Sequence, residues 1–246
     1  MTQTAIDIAV QEKRFGDRLA VRDIAFSVGR GEIVALVGPS GCGKSTLLRL
    51  IAGLDADYRG QVQVLGKPPR LHAKAVGFVF QEPRLLPWLT VAGNVGFEGG
   101  RKGADDPRVA ELLAEVGLKD YARAWPKQLS GGMAQRAAIA RALYSQPSVL
   151  LLDEPFSAVD PFTRMKLQDL LLAVAERRKA TVLVVTHDIG EAIYLADRVL
   201  ALSPGPGRLS GEIRVGRTGP RDRHAPELAR LQSQVLAVLE HPAQAA

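Results

Sequence analysis

Gly38-Pro39-Ser40-Gly41-Cys42-Gly43-Lys44-Ser45-Thr46 has residue types and spacing suited to gripping a polyphosphate. A glycine, four residues and then Gly-Lys-Ser describe a loop whose backbone N–H groups point into one concavity. Lys44 would set its charge against the β- and γ-phosphates of a nucleotide, and Ser45 would offer its hydroxyl to a magnesium ion. Cys42 sits in the same loop at a helix N-terminus, a setting that lowers a thiol pKa. The sequence therefore predicts that alkylation of Cys42 blocks nucleotide binding and that ATP protects. The bland alternative is an inert thiol present only for its backbone.

Two further groups could act with this loop. Asp153 and Glu154 end the apolar run Val149-Leu150-Leu151-Leu152. Ligands of α/β proteins gather at such strand ends. Asp153 suits a magnesium ion, held directly or through water, and Glu154 suits polarising a water for attack on a γ-phosphate. Alone, an acid pair there is more often a helix cap; the phosphate loop turns the balance toward chemistry. Leu129-Ser130-Gly131-Gly132-Met133-Ala134-Gln135-Arg136 is the second group. Ser130 is a natural N-cap, and a helix opening on two glycines leaves backbone N–H groups accessible to an anion.

These residues need elements to hold them. Glu32–Val37 predicts a buried strand entering the loop, and Ser45–Ala52 a helix leaving it, so the phosphates would meet a helix N-terminus. Ile6–Phe15 and Leu19–Val28 predict strands separated by a turn at Gly16-Asp17. Gln61–Leu65 alternates as a half-exposed strand does, and Val76–Phe80 predicts a buried one. Gly99–Pro107 predicts a loop, and Arg108–Val116 a helix. Helices are also expected over Ser130–Ser145, Met165–Arg178, Ile189–Ala196 and Pro226–Leu239, with buried strands at Val149–Leu152 and Thr181–Thr186. Strands alternating with helices argue for a mostly parallel sheet.

With these motifs in this order, the chain resembles the ATP-binding cassette ATPases of ABC transporters, from about Ile6 to Leu202. Their Leu-Ser-Gly-Gly signature matches Leu129–Gly132, followed closely by Gln135-Arg136. The resemblance implies an α/β P-loop NTPase fold of the ABC type. It has a mostly parallel RecA-like core sheet, an N-terminal antiparallel β subdomain and an inserted α-helical subdomain. Residues 1–203 would form the ATPase domain, with the helical subdomain at about 85–147, and 204–246 a short extension without a regulatory domain. It also implies that two chains sandwich two ATP molecules head to tail. Ser130, Gly131, Gly132 and Gln135 of one chain would then act on the ATP held by Gly38–Thr46 of the other. Gln81 would contact magnesium and the attacking water, and His187 would bond the γ-phosphate as a switch. Ser157 and Asp160 would cross the dimer interface. Phe15 would stack on adenine, where the family more often has tyrosine; a core phenylalanine is the alternative. Met133 replaces the commoner glutamine.

The segment Phe80-Gln81-Glu82-Pro83-Arg84-Leu85-Leu86-Pro87-Trp88, with Asn94-Val95-Gly96, Trp125-Pro126 and Asp160–Arg164, is similar to cassettes of nitrate, sulfonate and taurine importers. The implied partners are integral membrane permease subunits and, indirectly, a solute-binding protein, at the cytoplasmic face of the membrane. Leu85, Leu86 and Trp88 would form a groove for a permease helix, or else pack the chain's own helical subdomain. The implied cofactors are ATP and Mg2+.

Bulk properties agree. In 246 residues, hydrophobic content of 46% and charged content of 24% are ordinary for a globular domain, and no apolar run reaches the length of a membrane span. The single cysteine excludes an internal disulfide. A net charge of +6 would suit nucleic acid, but the charges are scattered and aromatics are only 5%, so no nucleic-acid partner is expected. A soluble ABC ATPase of repair, assembly or translation is the alternative class; those carry coiled-coil insertions or paired cassettes, for which the chain has no room.

Overall fold

The computed structural model describes residues 3–70, 74–216, 222–223 and 225–240. The chain divides into two compact units, Met1–Ala73 with Thr181–Ala246, and Lys74–Ala180. The first unit opens with strands β1 (Thr4–Phe15) and β2 (Arg18–Gly29), a hairpin turning at Gly16-Asp17. Ile6, Ile8 and Val10 face inward while Asp7, Ala9 and Gln11 face out, the alternation of a sheet with one covered face. Strand β3 (Ile33–Val37) is buried throughout and leads into helix α1 (Lys44–Ile51). Strand β4 (Arg59–Val64) then joins the hairpin, giving a three-stranded antiparallel sheet in the order β2-β1-β4.

The second unit holds the helical segment expected at about 85–147. Strand β5 (Val76–Val79) is followed by the short helix α2 (Val91–Val95) and by α3 (Pro107–Glu115), α4 (Gly131–Leu143), strand β6 (Val149–Asp153) and helix α5 (Pro161–Arg178). Strands β5 and β6 pair in parallel. Two expectations change here. Val76–Phe80 is not uniformly buried: Gly77 and Val79 are, while Val76 and Phe78 are half-exposed. The glycine-rich stretch expected as a loop is a 3-10 helix over Phe97–Asp105, broken at Gly100 with φ 64°.

The chain returns to the first unit with strand β7 (Thr181–Val185), helix α6 (Ile189–Leu195), strands β8 (Arg198–Leu202) and β9 (Leu209–Arg214), and helix α7 (Pro226–Glu240). Strand β3 lies parallel to both β7 and β8, and β9 runs antiparallel to β8. Strands β3 and β7 are buried at every position, as continuous apolar runs covered on both faces must be. The extension beyond 203 is no loose tail, because β9 completes this sheet and α7 packs on α6, β8 and β9. Residues 217–221, 224 and 241–246 of that extension lie outside the described residues. Among the described residues, no helix is long and apolar enough to cross a membrane.

Candidate nucleotide site

The phosphate loop lies between the end of β3 and the start of α1, as its glycines require. Gly38, Gly41 and Gly43 have φ of 157°, 80° and 94°. A Cβ on Gly43 would meet Val21 Cγ2 at 2.6 Å. Gly43 caps α1 in the left-handed conformation, no side chain caps the helix, and no acid occupies its first turn. The first N–H groups of an eight-residue helix therefore face the loop without a protein anion, which fits a bound phosphate. Lys44 Nζ donates to Gly38 O at 2.7 Å and Pro39 O at 3.0 Å, which places the ammonium across the concavity. Pro39, Ser40 and Gly41 are exposed at the rim, and Ser45 and Thr46 are half-buried in the first turn of α1.

Cys42 reverses its expectation. It is 0% exposed. Burial pushes its thiol pKa up, against the opposing charge of Lys44, whose Nζ lies 3.8 Å from Sγ. Desolvation of the thiolate outweighs the helix terminus and the neighbouring ammonium. The loop's cysteine is a small packed hydrophobe, not a reactive thiol.

Strand register brings the remaining candidates to strand ends. In the first unit, Leu36 of β3 pairs with Val185 of β7. Gly38 and His187 each follow their member of that pair by two residues, so the loop and the histidine leave neighbouring strands side by side. Thr186 N donates to Leu36 O at 3.2 Å, and Thr186 Oγ1 accepts from Asp188 N at 3.1 Å. Asp188 caps α6 through Glu191 N. The turn carrying His187 is thus pinned on both sides, and the imidazole is exposed.

The second unit repeats this plan. Val79 of β5 pairs with Leu152 of β6, so Gln81 and Glu154 emerge from adjacent strand ends, with Asp153 closing β6. Gln81 Nε2 donates to Ser157 Oγ at 3.2 Å, and Ser157 Oγ donates to Glu154 O at 3.0 Å. One chain of hydrogen bonds therefore joins Gln81, Ser157 and the backbone of Glu154. Glu154 has φ 44°, a left-handed conformation for a non-glycine residue. Strain of this kind gathers at sites that must aim a side chain. Asp160 caps α5, accepting from Thr163 N at 3.0 Å; hydrogen bonding by the Thr163 side chain, and then by its backbone, holds the carboxyl pKa below its ordinary value.

Ser130 caps α4 as expected, its Oγ accepting from Met133 N at 3.3 Å. Ser130 and Gly131 are exposed and Gly132 is buried. A Cβ on Gly132 would lie 2.3 Å from Thr163 Cγ2, so this glycine also permits close contact of α4 with α5. Gln135 stands apart from the other three. It is 2% exposed, and its Nε2 donates to Phe80 O at 3.4 Å. Its amide braces α4 against the exit of β5.

The segment after Gln81 is held by residues whose roles the sequence did not reveal. Arg141 of α4 donates to Pro83 O and Arg84 O at 2.8 and 2.7 Å. Asn94, fully buried, accepts from Leu86 N at 2.7 Å and donates to the carbonyls of Leu86, Leu89 and Thr90. Between these clamps Leu85 and Leu86 are half-buried and Trp88 is 67% exposed. Lys13 was also missed: it lies beneath Phe15, which is 48% exposed at the end of β1.

Comparison with known proteins places this arrangement. The family model described as ABC transporter matches residues 21–157. A Burkholderia cenocepacia protein named aliphatic sulfonates import ATP-binding protein SsuB 2 is 57% identical, covering 94% of this chain and 86% of that protein. A Pseudomonas syringae pv. tomato protein of the same name is also 57% identical, covering 97% and 99%. Among solved structures, cbiO1 of Clostridium perfringens, part of the ABC transporter complex cbiONQ, superposes with a TM-score of 0.76 at 26% identity, covering 87% of this chain and 89% of that one. The ATP-binding cassette MJ0796, solved as a post-hydrolysis dimer with ADP and Pi, gives 0.73 at 32% identity, covering 88% and 100%. With half of its length in the family model and relatives matched almost end to end, the chain belongs to the ABC transporter family as one of its ATP-hydrolysing cassettes.

Proposed function

We propose that this chain is the ATP-hydrolysing subunit of an importer for organic sulfonates. The two relatives named above are sulfonate import proteins by name, and their 57% identity extends over 94% or more of the chain. The observation that carries the chemistry is the uncapped N-terminus of α1 with the Lys44 ammonium drawn across its glycine loop. A nucleotide triphosphate matches that charge and those donors.

In this function the loop N–H groups and Lys44 bind the phosphates, and Phe15 carries the base. Magnesium, held by phosphate oxygens with Ser45, Asp153 and Gln81, would neutralise charge on the phosphates. Glu154 takes the proton of a water as its oxygen attacks the γ-phosphorus, and ADP leaves with the β-phosphate oxygen. His187 orients the γ-phosphate. Ser157 couples Gln81 to the backbone of Glu154, so movement of the Gln81 segment reaches the general base. Two chains would bind head to tail, Ser130, Gly131 and Gly132 of one closing on the ATP of the other, with Ser157 and Asp160 at the seam. Docking of a permease helix against Leu85, Leu86 and Trp88 would pass dimer closure to the membrane, at its cytoplasmic face. A solute-binding protein would deliver the sulfonate on the opposite side.

A deletion strain tests the substrate. It is expected to lose growth on alkanesulfonates as the sole sulfur source and to keep growth on sulfate, with recovery on complementation. Unimpaired growth on unsubstituted alkanesulfonates, with a defect only on nitrate or only on the aminosulfonate taurine, would move the substrate to that solute.

A further inference from the structure

Lys13 is 2% exposed, although its neighbours Glu12 and Arg14 remain accessible. A β-bulge turns it inward. Pairing of β1 with β4 steps from Val10↔Gly60 to Glu12↔Arg59, so Gln11 has no counterpart. Before the bulge Ile6, Ile8 and Val10 face the core; after it Lys13 does. Gly60 opposite has φ 122°, and a Cβ there would sit 2.2 Å from Ala9 O. The bulge and the glycine fit each other, and together they re-aim one side chain.

The ammonium meets a built receptor. Nζ donates to Asp55 Oδ1 at 2.9 Å and to Asp57 O at 2.6 Å, with the exposed Asp57 carboxylate 3.5 Å away. It also lies over the Phe15 ring, 4.6 Å from the centroid. Burying an ammonium is costly unless it is paired, and a leucine would fill such a space without that cost. What the ammonium adds is direction: a cation under an aromatic face holds the ring flat to it. Phe15 stands across the hairpin end from Arg18, whose Nη2 lies 3.5 Å from where a Gly41 Cβ would be. Phe15 thus pairs with a residue whose side chain reaches the phosphate loop, all within one unit.

We propose that Lys13 is the positioning residue of the nucleobase platform. Anchored by Asp55 and Asp57, it fixes the Phe15 ring from behind, so that the outer face is presented to a purine. The cation also draws π density away from that outer face, which favours an electron-rich base stacked on it. Asp55 and Asp57 lie on the segment joining α1 to β4, so the same contact ties the platform to the helix that opens the phosphate loop. This rests on the role given to Phe15 above.

Affinity measurements with ATP and with inorganic tripolyphosphate, which lacks the base, separate the possibilities. Lys13→Met is expected to weaken ATP binding about three- to tenfold, the cost of ordering on binding a ring that the cation–π contact had held beforehand, which the strength of that contact bounds, and to leave tripolyphosphate binding unchanged. Lys13→Arg should restore most of the loss. In a Phe15→Ala background Lys13→Met should have no further effect on ATP. Asp55→Asn, which keeps the ammonium but loosens its anchor, should give a smaller loss in the same direction, and it decides the matter if Lys13→Met fails to fold. Unchanged ATP affinity in the folded Lys13 and Asp55 variants, with a clear loss in Phe15→Ala, would overturn the proposal. Equal losses for ATP and tripolyphosphate would also overturn it, as the mark of a merely structural lysine. Unchanged ATP affinity in Phe15→Ala would instead remove the role of Phe15 itself.

Discussion

Single side chains here are governed by what surrounds them more than by where they fall in a motif. Cys42 occupies a helix N-terminus beside Lys44, yet complete burial raises its thiol pKa. Native protein exposed to excess N-ethylmaleimide is therefore expected to stay unlabelled at Cys42 and to label fully in denaturant. Rapid stoichiometric labelling of the native chain, slowed by ATP, would contradict this. Gln135 shows the same lesson: the sequence places it beside the exposed signature residues, while the fold turns its amide inward to Phe80 O. Lys13 was illegible for the complementary reason. Nothing in the residues around it announces a bulge, and without the bulge a lysine between Glu12 and Arg14 reads as solvated surface.

At the scale of elements, Gly132 has a packing duty as well as an open N–H. Gly132→Ala would place a methyl 2.3 Å from Thr163 Cγ2, so α4 and α5 must separate. The expected loss is about 1–3 kcal/mol of stability, read from denaturant unfolding. Thr163→Ser removes the obstructing methyl and should recover part of it; no recovery would place the damage elsewhere. Most elements were legible because their signals are strong. Apolar runs marked β3, β6 and β7, glycine and serine marked the openings of α1 and α4, and helical patterning marked α3, although its first residue, Pro107, and its cap, Asp106, were read as loop. Strands β8 and β9 were not. Arg198–Leu202 holds an apolar run of only four residues, Val199–Leu202, without flanking alternation, and Leu209–Arg214 lies beyond the proline- and glycine-rich turn that reads as the start of a tail. Both exist because β3 and β8 offer neighbours to pair with, a tertiary cause that local sequence does not carry. The 3-10 helix at Phe97–Asp105 was hidden by glycines that suggest a loop.

At the scale of the whole molecule, ATP chemistry must reach a membrane partner. Asn94 and Arg141 hold the segment after Gln81 so that Trp88 stands out into solvent. In a reconstituted transporter, Trp88→Ala should abolish coupled uptake while basal ATPase activity stays within about twofold, because an exposed anchor contributes at an interface and not to the fold. Loss of folding would instead assign Trp88 to the chain's own packing. The phosphate loop and the signature belong to one chain, and in the proposed head-to-tail pair each would serve a different ATP. Glu154→Gln would remove the proposed general base and keep the hydrogen-bonding shape, so bound ATP should persist and hold two chains together. The decisive measurement is the mass of purified Glu154→Gln by light scattering at saturating ATP and magnesium. A shift from monomer to dimer on adding ATP, reversed by its removal, is the expected result; a protein that binds ATP fully and stays monomeric would contradict the shared site.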